Sequence, residues 1–327
     1  MQQLIISEKE AGQRLDKFLH KYLPLAPTSF FYKMLRKKNI TLNGKKAEGK
    51  EKLLSGDAIS LFLSDETIAS FKQAVDVKEY ETAYAKLKGI EVLYEDEHVV
   101  IMNKPAGILS QKAKEGDISV NEWLIGYLLK KGAVTNTCLS TFKPSVCNRL
   151  DRNTMGLITG AKTLVGSQEL NRLISSREVK KFYRLIVKGR MDPATHKGEL
   201  LEGYLTKDEK SNKVTLSPQK TGEDASYIQT RYYPVKSFSD RTLVEVELIT
   251  GKSHQIRAHM ASIGYPLLGD YKYGDKTFNE SYKRQYQISS QLLYACRMEF
   301  PVLNSPFESL SNQVVEAPVP KEFLKLI

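Results

Sequence analysis

Apolar and polar positions recur along this chain in two periods, and each change of period marks an element. Leu15, Phe18, Leu19 and Tyr22 fall on one stripe of a helix, which Pro24 and Pro27 end. A second helix follows, with Thr28 or Ser29 as its cap. Phe31, Met34 and Leu35 face inward on it, and Lys33, Arg36 and Lys37 face outward. The stretch NITLNG (39–44) predicts a short strand ending at an Asn-Gly turn. Residues 64–88 are mixed in charge with weak periodicity, which predicts a linker with some helix. From Ile90 the pattern sharpens: EVLYEDEHVVIMNKPAG reads as strand, acidic turn, strand and a loop at Asn103-Lys104-Pro105. Trp123, Leu124, Tyr127 and Leu128 are at helical spacing and read as core. Leu170, Leu173 and Ile174 define an amphipathic helix with Ser167 as its cap. Residues 181–188 then alternate as a strand, with Phe182, Arg184 and Ile186 on one face and Tyr183, Leu185 and Val187 on the other. Three further strands are expected at ELLEGYLT (199–206), NKVTLS (212–217) and ASYIQTRYYPV (225–235). RTLVEVELI (241–249) sets Val244, Val246 and Leu248 on one face. It runs through a turn at Gly251 into a helix capped by Ser253, lined by Ile256, Met260 and Ile263, and stopped at Gly264 and Pro266.

Composition narrows the partners. A chain of 327 residues exceeds the size at which single cores stop growing, so two domains are expected. Lys plus Arg number 49 against 38 Asp plus Glu, a net charge of +11 that favours a polyanion, nucleic acid before membrane. The excess is concentrated: between Arg14 and Lys52 there are eleven cations and three acids. Three cysteines without a Cys-x-x-Cys pair indicate neither a disulfide framework nor a structural zinc. The first residues lack the pattern of a signal peptide, and no apolar run nears the roughly 18 residues of a membrane span. A cytoplasmic address is expected.

Candidate chemistry centres on CNRLDRNTMGLITGAKT (147–163), where Asp151 stands between Arg149 and Arg152 at the mouth of an apolar strand. Neighbouring guanidinium groups favour the carboxylate anion, and loops on rigid scaffolds carry catalytic groups. An Asp that only bonds its own backbone in a turn is the plain alternative. The same tripeptide at Arg14-Leu15-Asp16 lacks the glycine-containing loop and strand, so Asp16 reads as a helix-start residue. Gly251-Lys252-Ser253 resembles the end of a phosphate-binding loop, but Val246 stands where its first glycine is required. His254 and His259 are five apart, the wrong spacing for a metal pair on a helix. Arg257, beside His254 at i, i+3, presents a fork that can clamp a carboxylate. Lys104 is a candidate phosphate contact, and Tyr183 a candidate beside the basic pair Lys180-Lys181.

Two resemblances organise these residues. RLDKFL (14–19), the basic second helix and ITLNG (40–44) resemble the alpha-L RNA-binding domain, with Phe30 where that family often has Arg. VLYEDEHVVIMNKPAGI (92–108), NRLDRNTMGL (148–157), KKFYRLIVKG (180–189) and GKSHQIRAHMASIGYPLLGDYKYG (251–274), with LLYACRMEF (292–300) more weakly, resemble the RluA-type pseudouridine synthases. The resemblance implies that Asp151 is the catalytic aspartate, that Tyr183 packs against the target base and that Arg257 pairs with Asp151. Departures are Asn148 for His, Asn153 for Asp, Met155 for Ser, Lys252 for Arg and Tyr294 for His. The implied fold is α+β: a mixed, largely antiparallel sheet with flanking helices, preceded by a small α/β RNA-binding domain acting as a mobile clamp. The expected boundaries are 1–64, a linker at 65–88 and a catalytic domain at 89–327. Expected RNA contacts are Arg14, Lys17, Lys33, Arg36, Lys37, Lys38, Lys45, Lys46, Lys104, Arg149, Arg152 and His254. The isomerisation needs no redox cofactor or metal. The expected partner is RNA, ribosomal RNA before transfer RNA, bound by a monomer without a membrane. A non-catalytic RNA-binding protein keeping the fold is the alternative.

Overall fold

The computed structural model describes residues 1–73, 76–196, 198–208 and 213–327, with only the backbone at Thr137. A small sheet opens the chain: β1 (Gln2–Ile5), β2 (Ile40–Leu42), β3 (Lys45–Lys46) and β4 (Ala58–Leu61), in the order β1-β4-β2-β3. Helices α1 (Leu15–Tyr22) and α2 (Thr28–Arg36) cover it. The apolar stripe anticipated on α1 is buried, and the cations of α2 are exposed. Asn43 and Gly44 both take positive φ, as the Asn-Gly turn requires. Neither Thr28 nor Ser29 caps α2; Pro27 takes that position, and the hydroxyl of Thr28 already lies inside the helix.

The stretch 65–88 holds two helices, α3 (Asp65–Phe71) and α4 (Lys78–Lys86), with Ala74 and Val75 outside the described residues. Their apolar faces turn different ways. Ile68 and Phe71 of α3 join the core of the small sheet, where Phe71 packs on Phe30 at 4.8 Å between ring centroids. Phe30 thus has a packing partner at the position where a cation was missing. Tyr80 and Ala83 of α4 are buried instead against α5 (Val120–Lys130), whose Gly126 admits the Tyr80 carbonyl at a distance no side chain would allow.

The large sheet comprises β5 (Glu91–Glu95), β6 (Val99–Lys104), β7 (Ser145–Val146), β8 (Met155–Ala161), β9 (Lys180–Lys188), β10 (Glu199–Asp208), β11 (Lys213–Ser217), β12 (Ser226–Ser237), β13 (Arg241–Leu248), β14 (Leu293–Glu299) and β15 (Val314–Glu316). Its main path runs β11-β10-β12-β13-β9-β14-β8-β6-β5; β7 joins β8 and β15 joins β14. The β14–β8 pair is parallel and the other pairs are antiparallel, so the sheet is mixed and largely antiparallel. Of the strand expected at 212–217, Asn212 lies outside the described residues.

Helices α6 (Asn136–Thr141), α7 (Leu164–Ser175), α8 (Gln255–Ser262), α9 (Lys276–Tyr286) and α10 (Lys321–Leu324) flank this sheet. Strand alternation explains why its centre is covered twice. Val100, Met102 and Ile158 point to α5, whereas Val99, Ile101 and Leu157 point to Leu170 and Leu173 of α7. Two helix starts differ from expectation. Thr163, not Ser167, caps α7 by accepting the Gly166 N–H at 3.0 Å, because the helix reaches back over Leu164. Ser253 does not cap α8: His254 takes the cap position with φ 58°, and the Gln255 side chain accepts the Lys252 N–H at 3.0 Å. The small unit rests on α6 and α7, where Leu164 N–H donates to Lys9 O at 3.1 Å and Thr141 Oγ1 donates to Glu10. No helix among the described residues is long and apolar enough to cross a membrane.

Candidate active site

Asp151 lies in the turn between β7 and β8, with its own carbonyl accepting Thr154 N–H at 3.0 Å. Just beyond, β8 is buried along its whole length. Gly156, at φ 98°, pairs with Ala295, and a Cβ there would stand 2.2 Å from the Ala295 carbonyl oxygen. Only glycine lets β8 and β14 close up at this point. The turn is therefore tied to a fully buried strand in the middle of the sheet. Ser110 holds it from the other side: Leu150 N–H donates to Ser110 Oγ at 2.9 Å, and that hydroxyl donates to Leu150 O at 2.8 Å.

Arg257 reaches Asp151 from α8. Its Nη1 donates to Asp151 Oδ2 at 3.0 Å, and its Nε and Nη2 donate to the two oxygens of Asp270 at 2.7 and 2.9 Å. Asp270 is fully buried, and its Oδ1 also accepts the N–H groups of Lys272 and Tyr273. Burial opposes the Asp270 charge, but Arg257 and these N–H donors outweigh it and hold its pKa low. The Arg257 guanidinium is thus fixed on a buried carboxylate and offers its remaining edge to Asp151. Asp151 itself is 28% exposed and lines a cleft of about 880 Å³.

His254 and Tyr273 complete the rim. Tyr273 Oη accepts Val214 N–H at 2.8 Å and lies 2.9 Å from His254 Nδ1, while His254 Nε2 lies 3.8 Å from Asp151 Oδ2. With the phenol donating to Nδ1, a neutral imidazole carries its proton on Nε2, facing the carboxylate. Burial lowers the His254 pKa, against the pull of Asp151, so the neutral form is favoured. The Arg257 guanidinium also lies over the Tyr273 ring, 5.1 Å from its centroid. Tyr183 is 5% exposed and lines the same cleft from β9. Burial, with the Asp151 charge, raises its pKa, so it stays a neutral phenol with an apolar face.

The fold brings Asp151, Tyr183, Arg257 and His254 together. Arg149 and Arg152 also line the cleft, but both are exposed, and neither forms an ion pair with Asp151 among the described residues. The guanidinium that holds the carboxylate comes from 106 positions away, not from its neighbours. Arg14, Lys17, Lys33, Arg36, Lys37, Lys38, Lys45 and Lys46 are exposed on the small unit, outside the cleft. Lys104 is a correction. It is fully buried, and its ammonium donates to the carbonyls of Pro105, Ile108 and Arg152 at 3.0, 2.8 and 2.9 Å. It braces the Asp151 loop from below and has no surface to offer a phosphate; burial takes its pKa down to about 7.

Asn148 is likewise committed internally, its Oδ1 accepting both the N–H and the hydroxyl of Thr159 at 2.7 and 3.0 Å. Asp16, in the duplicate tripeptide, is buried against Arg14, Lys17 N–H and Tyr32 and does not line the Asp151 cleft. His259 turns inward to Thr230, and no cluster of metal-ligating side chains occurs among the described residues. Asp270 was missed. It lies in the segment GDYKYG, and the available signal was a glycine-acid pair that begins seven residues beyond the helix that carries Arg257.

Comparison with known proteins identifies the family. Residues 98–262 match the RNA pseudouridylate synthase family. A ribosomal large subunit pseudouridine synthase C of Vibrio cholerae is 30% identical over 307 residues, covering 90% of this chain and 87% of that protein. One of the same name from Rickettsia bellii is 32% identical over 276 residues, covering 83% and 86%. The solved structure of human RNA pseudouridylate synthase domain containing 4 shares the fold, with a TM-score of 0.57 at 20% identity over 76% of this chain and 94% of that one. Asp151 and Arg257 sit inside the matched region and Asp270 just beyond it, and the chain belongs to the RNA pseudouridylate synthase family.

Proposed function

We propose that this enzyme isomerises uridines of ribosomal RNA, with Asp151 as the essential carboxylate. The observation that carries the proposal is the Arg257–Asp151 contact at 3.0 Å, with Asp151 lining the cleft together with Tyr183. During isomerisation the C1′–N1 bond breaks, the base turns, C5 bonds to C1′ and the C5 proton leaves. Breaking the bond builds positive charge on the sugar, as in glycoside chemistry. A carboxylate fixed on Arg257 meets that charge without reorganising. The target base must leave its stack to reach a cleft, and a buried aromatic such as Tyr183 gives it a face to pack on. The names of the relatives favour the large ribosomal subunit over transfer RNA.

The exposed cations of residues 14–46 support an RNA-binding role for the small unit, in keeping with its likeness to alpha-L domains. We place the enzyme in the cytoplasm as a monomer. Mapping pseudouridine in ribosomal and transfer RNA from cells with and without the gene tests the assignment. Loss of sites in large-subunit RNA alone is expected; loss confined to transfer RNA would move the substrate, and no loss in either would overturn the proposal.

A further inference from the structure

The cleft contains a cation without an ion-pair partner among the described residues. Lys181 precedes Tyr183 by two positions on β9, so both side chains project from the same face of the strand. At about 3.3 Å per residue they stand roughly 7 Å apart along it. Lys181 is 8% exposed and lines the cleft. Among the described residues its ammonium contacts no carboxylate and no carbonyl. Lys104 makes the contrast, since it is also buried but satisfies three carbonyls.

The surroundings of Lys181 add positive charge. Burial lowers its pKa first, and the nearby Arg177 guanidinium lowers it further. The one acid in that turn, Glu178, is occupied by Arg172 and Ser176. A Cβ on Gly251 would stand 3.7 Å from Lys181 Nζ, so any larger side chain there would cover the ammonium. Two cations at the wall of one cleft repel each other and attract an anion that enters it. From this we infer that Lys181 and Arg177 form a subsite for one phosphodiester of the RNA strand next to the target uridine. The subsite rests on the reading that the target occupies the cleft at Asp151. Lys181 would then grip the backbone about one nucleotide's reach from the base held at Tyr183, fixing which uridine of a loop enters.

The test is a scan of neutral methylphosphonate linkages, one at a time, through a stem-loop fragment of large-subunit ribosomal RNA that the wild type modifies. One linkage near the target should raise the wild-type KM about tenfold with little change in kcat, since the contact is equal in ground and transition states. Lys181→Met should raise KM by a similar factor on unmodified RNA and add nothing further at that linkage. Lys181→Arg should restore sensitivity to it. Equal losses at every linkage in Lys181→Met, or an unchanged KM, would overturn the subsite. Should Lys181→Met fail to fold, the wild-type scan decides alone: no single sensitive linkage near the target would overturn it. Turnover of unmodified RNA by the wild type tests the functional reading separately, so a negative scan with an active enzyme counts against the subsite only.

Discussion

Arg257 is shared unequally between two carboxylates. Two of its donors are committed to buried Asp270 and one to half-open Asp151. Asp270 therefore sets the direction of the fork, and Asp151 takes its aim from the fork. Asp270→Asn keeps the shape but loses the charge that anchors the guanidinium. It is expected to lower kcat about 10- to 100-fold, the scale of loss for a small misplacement of a reacting group, with RNA affinity nearly unchanged. Breaking a buried pair should also reduce unfolding free energy by about 3 kcal/mol. A kcat equal to wild type would show that Arg257 orients itself without Asp270. Lys104 makes a second residue-scale case. Lys104→Met should destabilise the protein by about 2–4 kcal/mol, because three buried carbonyls lose their donor. The salt dependence of RNA binding should stay the same; a shallower slope would return Lys104 to the RNA surface. Local pattern was enough to single out Asp151 at the mouth of a strand and Arg257 as a fork for a carboxylate; their pairing and the place of Tyr183 beside them came only with the family resemblance. Asp270 and the burial of Lys104 depend on which distant backbone arrives opposite, and no periodicity encodes that.

At the scale of elements, Glu95 is the tie between strand and helix. It ends β5 and accepts from Tyr127 and Lys131 at the end of α5, and from Lys162 beyond β8. Burial raises its pKa, but the three donors outweigh that and bring it to about 2. A carboxyl depressed in the folded state stabilises above its unfolded pKa, near 4.5, and loses that contribution as pH falls towards 2. Glu95→Gln should cost about 1–3 kcal/mol at pH 7. It should also flatten the loss of stability between pH 4.5 and 2, followed by denaturant unfolding. An unchanged acid limb would mean that the three donors do not stabilise the charge. Periodicity anticipated these strands and the core face of α5, because amphipathic patterning is local. It misplaced the caps of α7 and α8: Thr163 caps the first, and the second starts at His254 without a side-chain cap. It also joined α3 and α4 into one linker, although their apolar faces serve different cores.

Over the whole molecule, exposed cations lie in two places, on the small unit and along the cleft. The cations of α2 lie on the small unit, and the carboxylate lies in the large sheet's cleft. Replacing Lys33, Arg36 and Lys37 together by Ala should weaken RNA binding and lower its log–log salt slope by about 2, while kcat at saturating RNA holds. An unchanged slope would remove α2 from the RNA interface. The overall plan of a small basic unit ahead of a mixed sheet was legible in the sequence, since it follows from charge clustering and strand alternation. The seating of that unit on α6 and α7 was not, because Lys9, Glu10, Thr141 and Leu164 carry no shared pattern. The central claim concerns one carboxylate, and tritium release from C5-labelled uridine in RNA reads it directly, because C5 gives up its hydrogen when it bonds to the sugar. Asp151→Ala should release no tritium while binding RNA almost as tightly as the wild type, since affinity comes from phosphate contacts spread over many cations. Tritium release by Asp151→Ala at the wild-type rate would contradict the account.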